Sequence, residues 1–152
     1  MSLIKVNNVS KLYRTSKIET MALDNVNFSI EKGEFVSIMG PSGCGKSTLL
    51  NIVGLLDRPS SGSVEIAGKT AQGMNDRALA AFRNASIGFI FQNFHLIPSL
   101  NVADNVELPL TYRSGIGARE RHAKVAEVLE RVGLAHRTNH FPSQLSGGQC
   151  QR

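Results

Sequence analysis

Apolar positions in the first third of the chain recur close to every second residue. The stretch LIKVNNVSKLY alternates loosely, and LDNVNFSI places Leu23, Val26, Phe28 and Ile30 near period two. That is the pattern of strands with one buried face. EFVSIM (residues 34–39) is short and mostly apolar, which predicts a strand buried on both faces. The turn EKGE joins it to the preceding strand, with Gly33 able to take a positive φ. Residues 47–56 have helical spacing and stop at DRPSSG, where Pro59 and Gly62 end the helix. SVEIAG reads as a strand closed by Gly68, residues 76–84 as a polar helix, and IGFIF (residues 87–91) as a further strand.

The texture changes after that strand. QNFHLIPSLNV carries four large apolar residues among loop punctuation. NVADNVELPL opens like a capped helix, with Asn101 three residues before Asp104. Residues 119–132 put Val125, Val128, Leu129 and Val132 on one helical face, and Gly133 suits the C-cap. The pattern divides the chain into a strand-rich part, residues 1–91, and a helical part, residues 92–152. It contains no internal repeat and no low-complexity tract.

Composition bounds this picture. With 152 residues, 41% of them apolar and 19% charged, the chain is globular in type: one domain, or one and part of another. The longest apolar candidate, TLLNIVGLL, is broken by Asn51 and Gly54 and falls short of the ~20 residues of a membrane span. The opening MSLIKVNNVS lacks the apolar run of a signal peptide. Cys44 and Cys150, far apart, make no disulfide framework, so a soluble chain in a reducing compartment is expected. The net charge of +5 favours nucleic acid, an anionic membrane or phosphorylated ligands as partners. Its densest stretch, residues 113–137, sets six Arg or Lys against three Glu and reads as a solvated helix face.

The candidate chemistry lies in two glycine motifs. GPSGCGKST (residues 40–48) fits G-x-x-x-x-G-K-[ST]. Gly40, Gly43 and Gly45 let the backbone curl until several N–H groups converge, with Pro41, Ser42 and Cys44 between them. The helix that follows aims its positive end at the same point. Lys46 supplies a cation for outer phosphates, and Ser47, followed by Thr48, places a hydroxyl for Mg²⁺. This is the pattern of a nucleoside-triphosphate site. LSGGQ (residues 145–149) reads as a second cradle: a Ser146 hydroxyl, exposed N–H groups at Gly147 and Gly148, then Gln149 in a starting helix.

With both motifs in this order, the chain resembles the ATP-binding-cassette (ABC) family over residues 4–152. The resemblance implies an α/β P-loop NTPase fold with an N-terminal antiparallel β part and a helical subdomain. It implies ATP and Mg²⁺ as cofactors, with adenine stacked on Tyr13 and the phosphates on residues 40–48. For that stack only the ring is needed. Gln92 matches the Q-loop glutamine, a metal or water ligand together with Ser47, and catalytic work falls to Lys46 and Gln92. Residues 146–149 would serve the nucleotide of a second cassette in a head-to-tail dimer, which has two-fold symmetry. MGPSGCGKSTLLNIVGLLDRPSSG and IGFIFQNFHLIPSLNVADNVELPL resemble the branch serving macrolide-export and lipoprotein-release permeases. In that setting residues 94–100 would meet the transmembrane permease, and the subunit would sit at the cytoplasmic face of the membrane. No nucleic acid partner is expected.

Two positions depart from the pattern, Cys44 where serine is common and Cys150 where glutamine is expected. Beside Lys46 at a helix start, Cys44 is expected to be the more reactive thiol. The family's water-orienting glutamate and switch histidine follow LSGGQ, whereas His95, His122, His136 and His140 precede it and no carboxylate stands in a matching motif. The core sheet is therefore expected to be incomplete in these residues, and the chain to bind ATP without turning it over. An alternative is a soluble ABC-type ATPase acting on nucleic acid or ribosomes. A P-loop kinase or GTPase leaves LSGGQ unexplained.

Overall fold

Two long strands, β1 (Ser2–Arg14) and β2 (Glu19–Glu31), pair antiparallel along most of their length. The computed structural model describes residues 2–16, 18–113 and 115–152, which divide into two units, Met1–Ser86 and Ile87–Arg152. The loose alternation of the first strands has a cause. Val6 and Val9 are both buried although three residues apart, because Asn8 takes a left-handed φ of 49° and the register with β2 shifts there. Asn25 does the same in β2 at φ 48°, between Leu23 and the alternating Val26, Phe28 and Ile30. Each bulge inserts one residue and returns the apolar side chains to the core face. Asn27 holds the pair together, accepting from the Asn8 N–H at 2.8 Å and donating to the Asn25 carbonyl at 2.8 Å.

The other edge of β1 takes β3 (Ser61–Ile66), from Ile4↔Ile66 to Ser10↔Ser61, and β3 takes the short β4 (Lys69–Thr70). The sheet order is β2-β1-β3-β4. Helices α1 (Lys46–Val53) and α2 (Asp76–Ser86) complete this unit. Its buried residues include Val6, Val9, Leu23, Ile52, Val64 and Leu79.

Two expected strands do not form. Residues 34–39 and 87–91 run without ladder partners among the described residues. Phe35 is 97% exposed where a strand buried on both faces was expected, and Ile90 is 92% exposed. Their apolar composition suits strands, but a strand exists only through the neighbour whose N–H and C=O groups it meets. The EKGE turn does form: Glu34 N–H donates to the Glu31 carbonyl at 3.3 Å.

In the second unit α3 (Val102–Thr111) starts as its sequence indicates, the Asn101 side chain accepting from the Asp104 N–H at 2.8 Å. Helix α4 (Ala118–Arg131) buries Val125 and Leu129 against Val102 and Leu134. Its basic residues are largely neutralised at the surface, with Lys124 on Glu120 and Arg131 on Glu127 one turn apart. Arg121 reaches Glu107 of α3 at 2.7 Å. The short α5 (Gly147–Gln151) ends the chain. The units meet slightly before the residue 91/92 boundary read from the pattern. Phe91 belongs with the second unit, its ring edge-on to His95 and its carbonyl accepting from Gln151.

Within that unit Asn105 fastens the loop ahead of α3. It accepts from the Ile97 N–H at 2.8 Å and donates to the carbonyls of Ile97, Leu100 and Asn101 at 2.9–3.1 Å.

Candidate functional site

The glycine loop curls as its composition demands. Gly40, Gly43 and Gly45 all have positive φ, at 156°, 82° and 91°. Gly45 is also pressed against β2: a Cβ there would collide with the Ala22 carbonyl oxygen and stand 3.0 Å from Leu23 Cδ2. It is the N-cap of α1, whose first turn contains no acidic residue to offset the positive end of the helix. Lys46 turns back over the loop and donates to the carbonyls of Gly40 at 2.9 Å and Pro41 at 2.7 Å. Its ammonium lies 3.6 Å from Cys44 Sγ. Ser47 is exposed in the first turn of α1, and Thr48 is half-buried behind it.

Tyr13 stands at the outer end of β1 with its ring 43% exposed. It pairs with Thr20, two positions along from the Lys11↔Leu23 pair where β2 meets the glycine loop. That is roughly 7 Å of strand. Sequence reading missed what holds the ring. Its hydroxyl donates to Asp57 Oδ2 at 3.0 Å, and Lys11 lies over the ring at 5.0 Å from its centroid while bonding Asp57 Oδ1 at 2.7 Å. The hydroxyl thus has a partner that the ring-only expectation did not include. Burial raises the Asp57 pKa, but hydrogen bonds from Lys11, the Arg58 N–H and Tyr13 outweigh it and hold the carboxyl below its ordinary range.

The remaining candidates belong to the second unit. Gln92 is exposed in the segment after residues 87–91. Ser146 caps α5 reciprocally with Gln149: its hydroxyl accepts from the Gln149 N–H at 3.3 Å, and Gln149 Oε1 accepts from the Ser146 N–H at 2.9 Å. Both side chains are therefore engaged locally, and the N–H groups of Gly147 and Gly148 open the helix. Phe94 comes to 3.9 Å of a Cβ built at Gly147, so the loop after Gln92 and the LSGGQ turn are neighbours. Phe94 and Leu96 line a largely apolar cavity of about 270 Å³ with Leu145 and Cys150.

A glycine loop curled before a helix N-terminus, with a lysine folded into it, defines a P-loop. Residues 23–152 match the family model described as ABC transporter, and the chain belongs to that family. It is 51% identical over 150 residues to YknY of Bacillus subtilis, an uncharacterized ABC transporter ATP-binding protein, covering 99% of this chain and 65% of that protein. It is 47% identical over 150 residues to the macrolide export ATP-binding/permease protein MacB of Nitrobacter winogradskyi, covering 99% of this chain and 23% of that one. The ABC transporter cassette MJ0796, a Methanocaldococcus jannaschii protein, has been solved as a dimer. Its TM-score to this chain is 0.85 at 47% identity, over 97% of this chain and 65% of that one. A second dimeric structure of the same cassette is a post-hydrolysis state bound to ADP and Pi. The chain thus spans 65% of the length of relatives such as YknY.

Proposed function

We propose that this chain binds MgATP and forms part of the ATPase subunit that energises a membrane transporter. The observation that carries the reading is the loop of residues 40–48, which curls ahead of an α1 whose first turn holds no acidic residue. A triphosphate fits such a loop. A Cβ at Gly43 would meet nothing within 4 Å, and Lys46 would release the Gly40 and Pro41 carbonyls and Cys44 Sγ in exchange for phosphate oxygens. The exposed Ser47 hydroxyl would hold Mg²⁺, with Gln92 a further ligand by family resemblance. Bound ATP would supply the phosphoanhydride bond that such an ATPase would cleave. The residues seen here bind, orient and neutralise: Lys46 and the loop N–H groups take the outer phosphates, and Tyr13 takes the base.

The relatives named as transporter and export proteins favour this reading over one on nucleic acid. The dimeric MJ0796 structures support pairing of two cassettes; by family resemblance the pair would be head to tail, with residues 146–149 serving the second cassette's nucleotide. The permease would be met through residues 94–100, where Phe94 and Ile97 are exposed. Such a subunit would work at the cytoplasmic face; no helix among the described residues is long and apolar enough to cross a membrane.

No carboxylate in residues 1–152 stands where the family keeps its water-orienting glutamate, so ATP binding without turnover is expected of them. Phosphate release should match a Lys46→Ala control while calorimetry detects ATP binding. Release clearly above that control would put the base inside these residues, and absence of ATP binding would overturn the function itself.

The cysteines give an independent check. Cys44 is exposed in the loop, whereas Cys150 is half-buried with its thiol 3.7 Å from the Pro142 carbonyl. Maleimide should label Cys44 first, and MgATP should slow that labelling and leave Cys150 unaffected. Peptide maps showing Cys150 labelled first, or no protection, contradict the placement of the nucleotide.

A further inference from the structure

β1 outruns one of its partners. Its ladder to β3 ends at Ser10↔Ser61, so on that side the residues from Lys11 to Arg14 have no strand to meet. The segment 57–60 stands there instead and bonds largely through side chains. Ser60 Oγ accepts from the Leu12 N–H at 3.0 Å. Lys11 Nζ donates to Asp57 Oδ1 and to the Arg58 carbonyl, both at 2.7 Å. Tyr13 donates to Asp57 Oδ2 at 3.0 Å. Asp57 Oδ1 also takes the Arg58 N–H at 2.7 Å, so both oxygens are engaged and the carboxylate is fixed in rotation.

We propose that Asp57 is a positioning residue for Tyr13, holding the ring at a set distance from the phosphate loop so that base and phosphates are bound as one unit. This rests on Tyr13 being the base-stacking residue. Left alone, a tyrosine at a strand end samples several rotamers, and ordering it would be charged against binding. The bond to Asp57 selects one rotamer beforehand. Lys11 occupies one face of the ring, which leaves the other for a base.

The spacing is set along two routes. Asp57 is tied to the end of α1, its N–H and that of Leu56 both donating to the Asn51 carbonyl, at 3.2 and 2.8 Å. Helix α1 begins at Lys46 and runs eight residues, roughly 12 Å of rod from cradle to clamp. The second route passes through β2, where Ala22 and Leu23 abut Gly45 and Thr20 pairs with Tyr13. A ring located from both directions has little room to drift. The carboxyl is also held in its charged form, an acceptor only, as its lowered pKa requires.

The test titrates ATP and inorganic tripolyphosphate into the protein by calorimetry, in unaltered form and with four changes: Tyr13→Phe, Tyr13→Ala, Asp57→Ala, and Tyr13→Phe with Asp57→Ala. Tyr13→Phe keeps the ring and removes only the bond, so it stays informative if Asp57→Ala proves unstable. ATP affinity should fall about three- to tenfold in Tyr13→Phe and in Asp57→Ala, and the double variant should be no worse than Asp57→Ala. Tripolyphosphate affinity should not change. Tyr13→Phe binding ATP like the unaltered protein, or Asp57→Ala losing both ligands alike, overturns the positioning role. Losses that simply add do the same. Tyr13→Ala should lose ATP roughly five- to a hundredfold; if it loses none, the stacking reading fails and the proposal goes with it.

Discussion

ATP affinity should drop by about ten- to a hundredfold on replacing Lys46 with alanine, the worth of a charge-assisted contact of roughly 1.5–3 kcal/mol. The loss should be smaller for AMP, because Lys46 is assigned to the outer phosphates. Folding should change little. The ammonium contacts carbonyls of an exposed loop, and water replaces those bonds when the side chain is removed. Calorimetry with both nucleotides, beside a denaturant titration, separates the two effects. Equal losses for ATP and AMP would remove Lys46 from the outer phosphates, and a large fall in stability would make its role structural.

Gly45→Ala should be strongly destabilising for a single added methyl. At φ 91° an L-residue is strained by about 1–2 kcal/mol, and here the methyl also collides with the Ala22 carbonyl of β2. Together these should cost about 2–4 kcal/mol of stability and push the loop off the sheet. Gly43→Ala is the matched control, with a similar φ of 82° but open space around the new methyl. It should show the strain without the collision. A denaturant midpoint for Gly45→Ala no lower than that for Gly43→Ala would mean that the contact with β2 is not felt.

Those glycines were readable in advance because the work of a P-loop is done by consecutive residues. The Asn101 cap was readable for the same reason, since it bonds an N–H three positions away, whereas Ser146, read as a phosphate-cradle hydroxyl, proves to cap α5. What spans greater distances was not. The Tyr13–Asp57 bond joins residues 44 positions apart and depends on β3 leaving β1 after Ser10. DRPSSG served only as a helix terminator in the sequence pattern, yet its first residue anchors the ring. The two missing strands teach the complementary lesson. Residues 34–39 and 87–91 have strand composition, but pairing belongs to the neighbour as much as to the segment. The Asn8 and Asn25 bulges left only a trace in the pattern, a gap of three between apolar residues where two was expected.

The four bonds from Asn105 decide where the loop after Gln92 can bend. Residues 97–101 are riveted to α3, so their backbone cannot shift without breaking bonds to that helix. The residues just upstream, 92–96, lie outside those four bonds, and His95 among them sits in the left-handed region at φ 50°. The loop thus has two parts, one pinned to α3 by Asn105 and one upstream of those bonds that turns at His95.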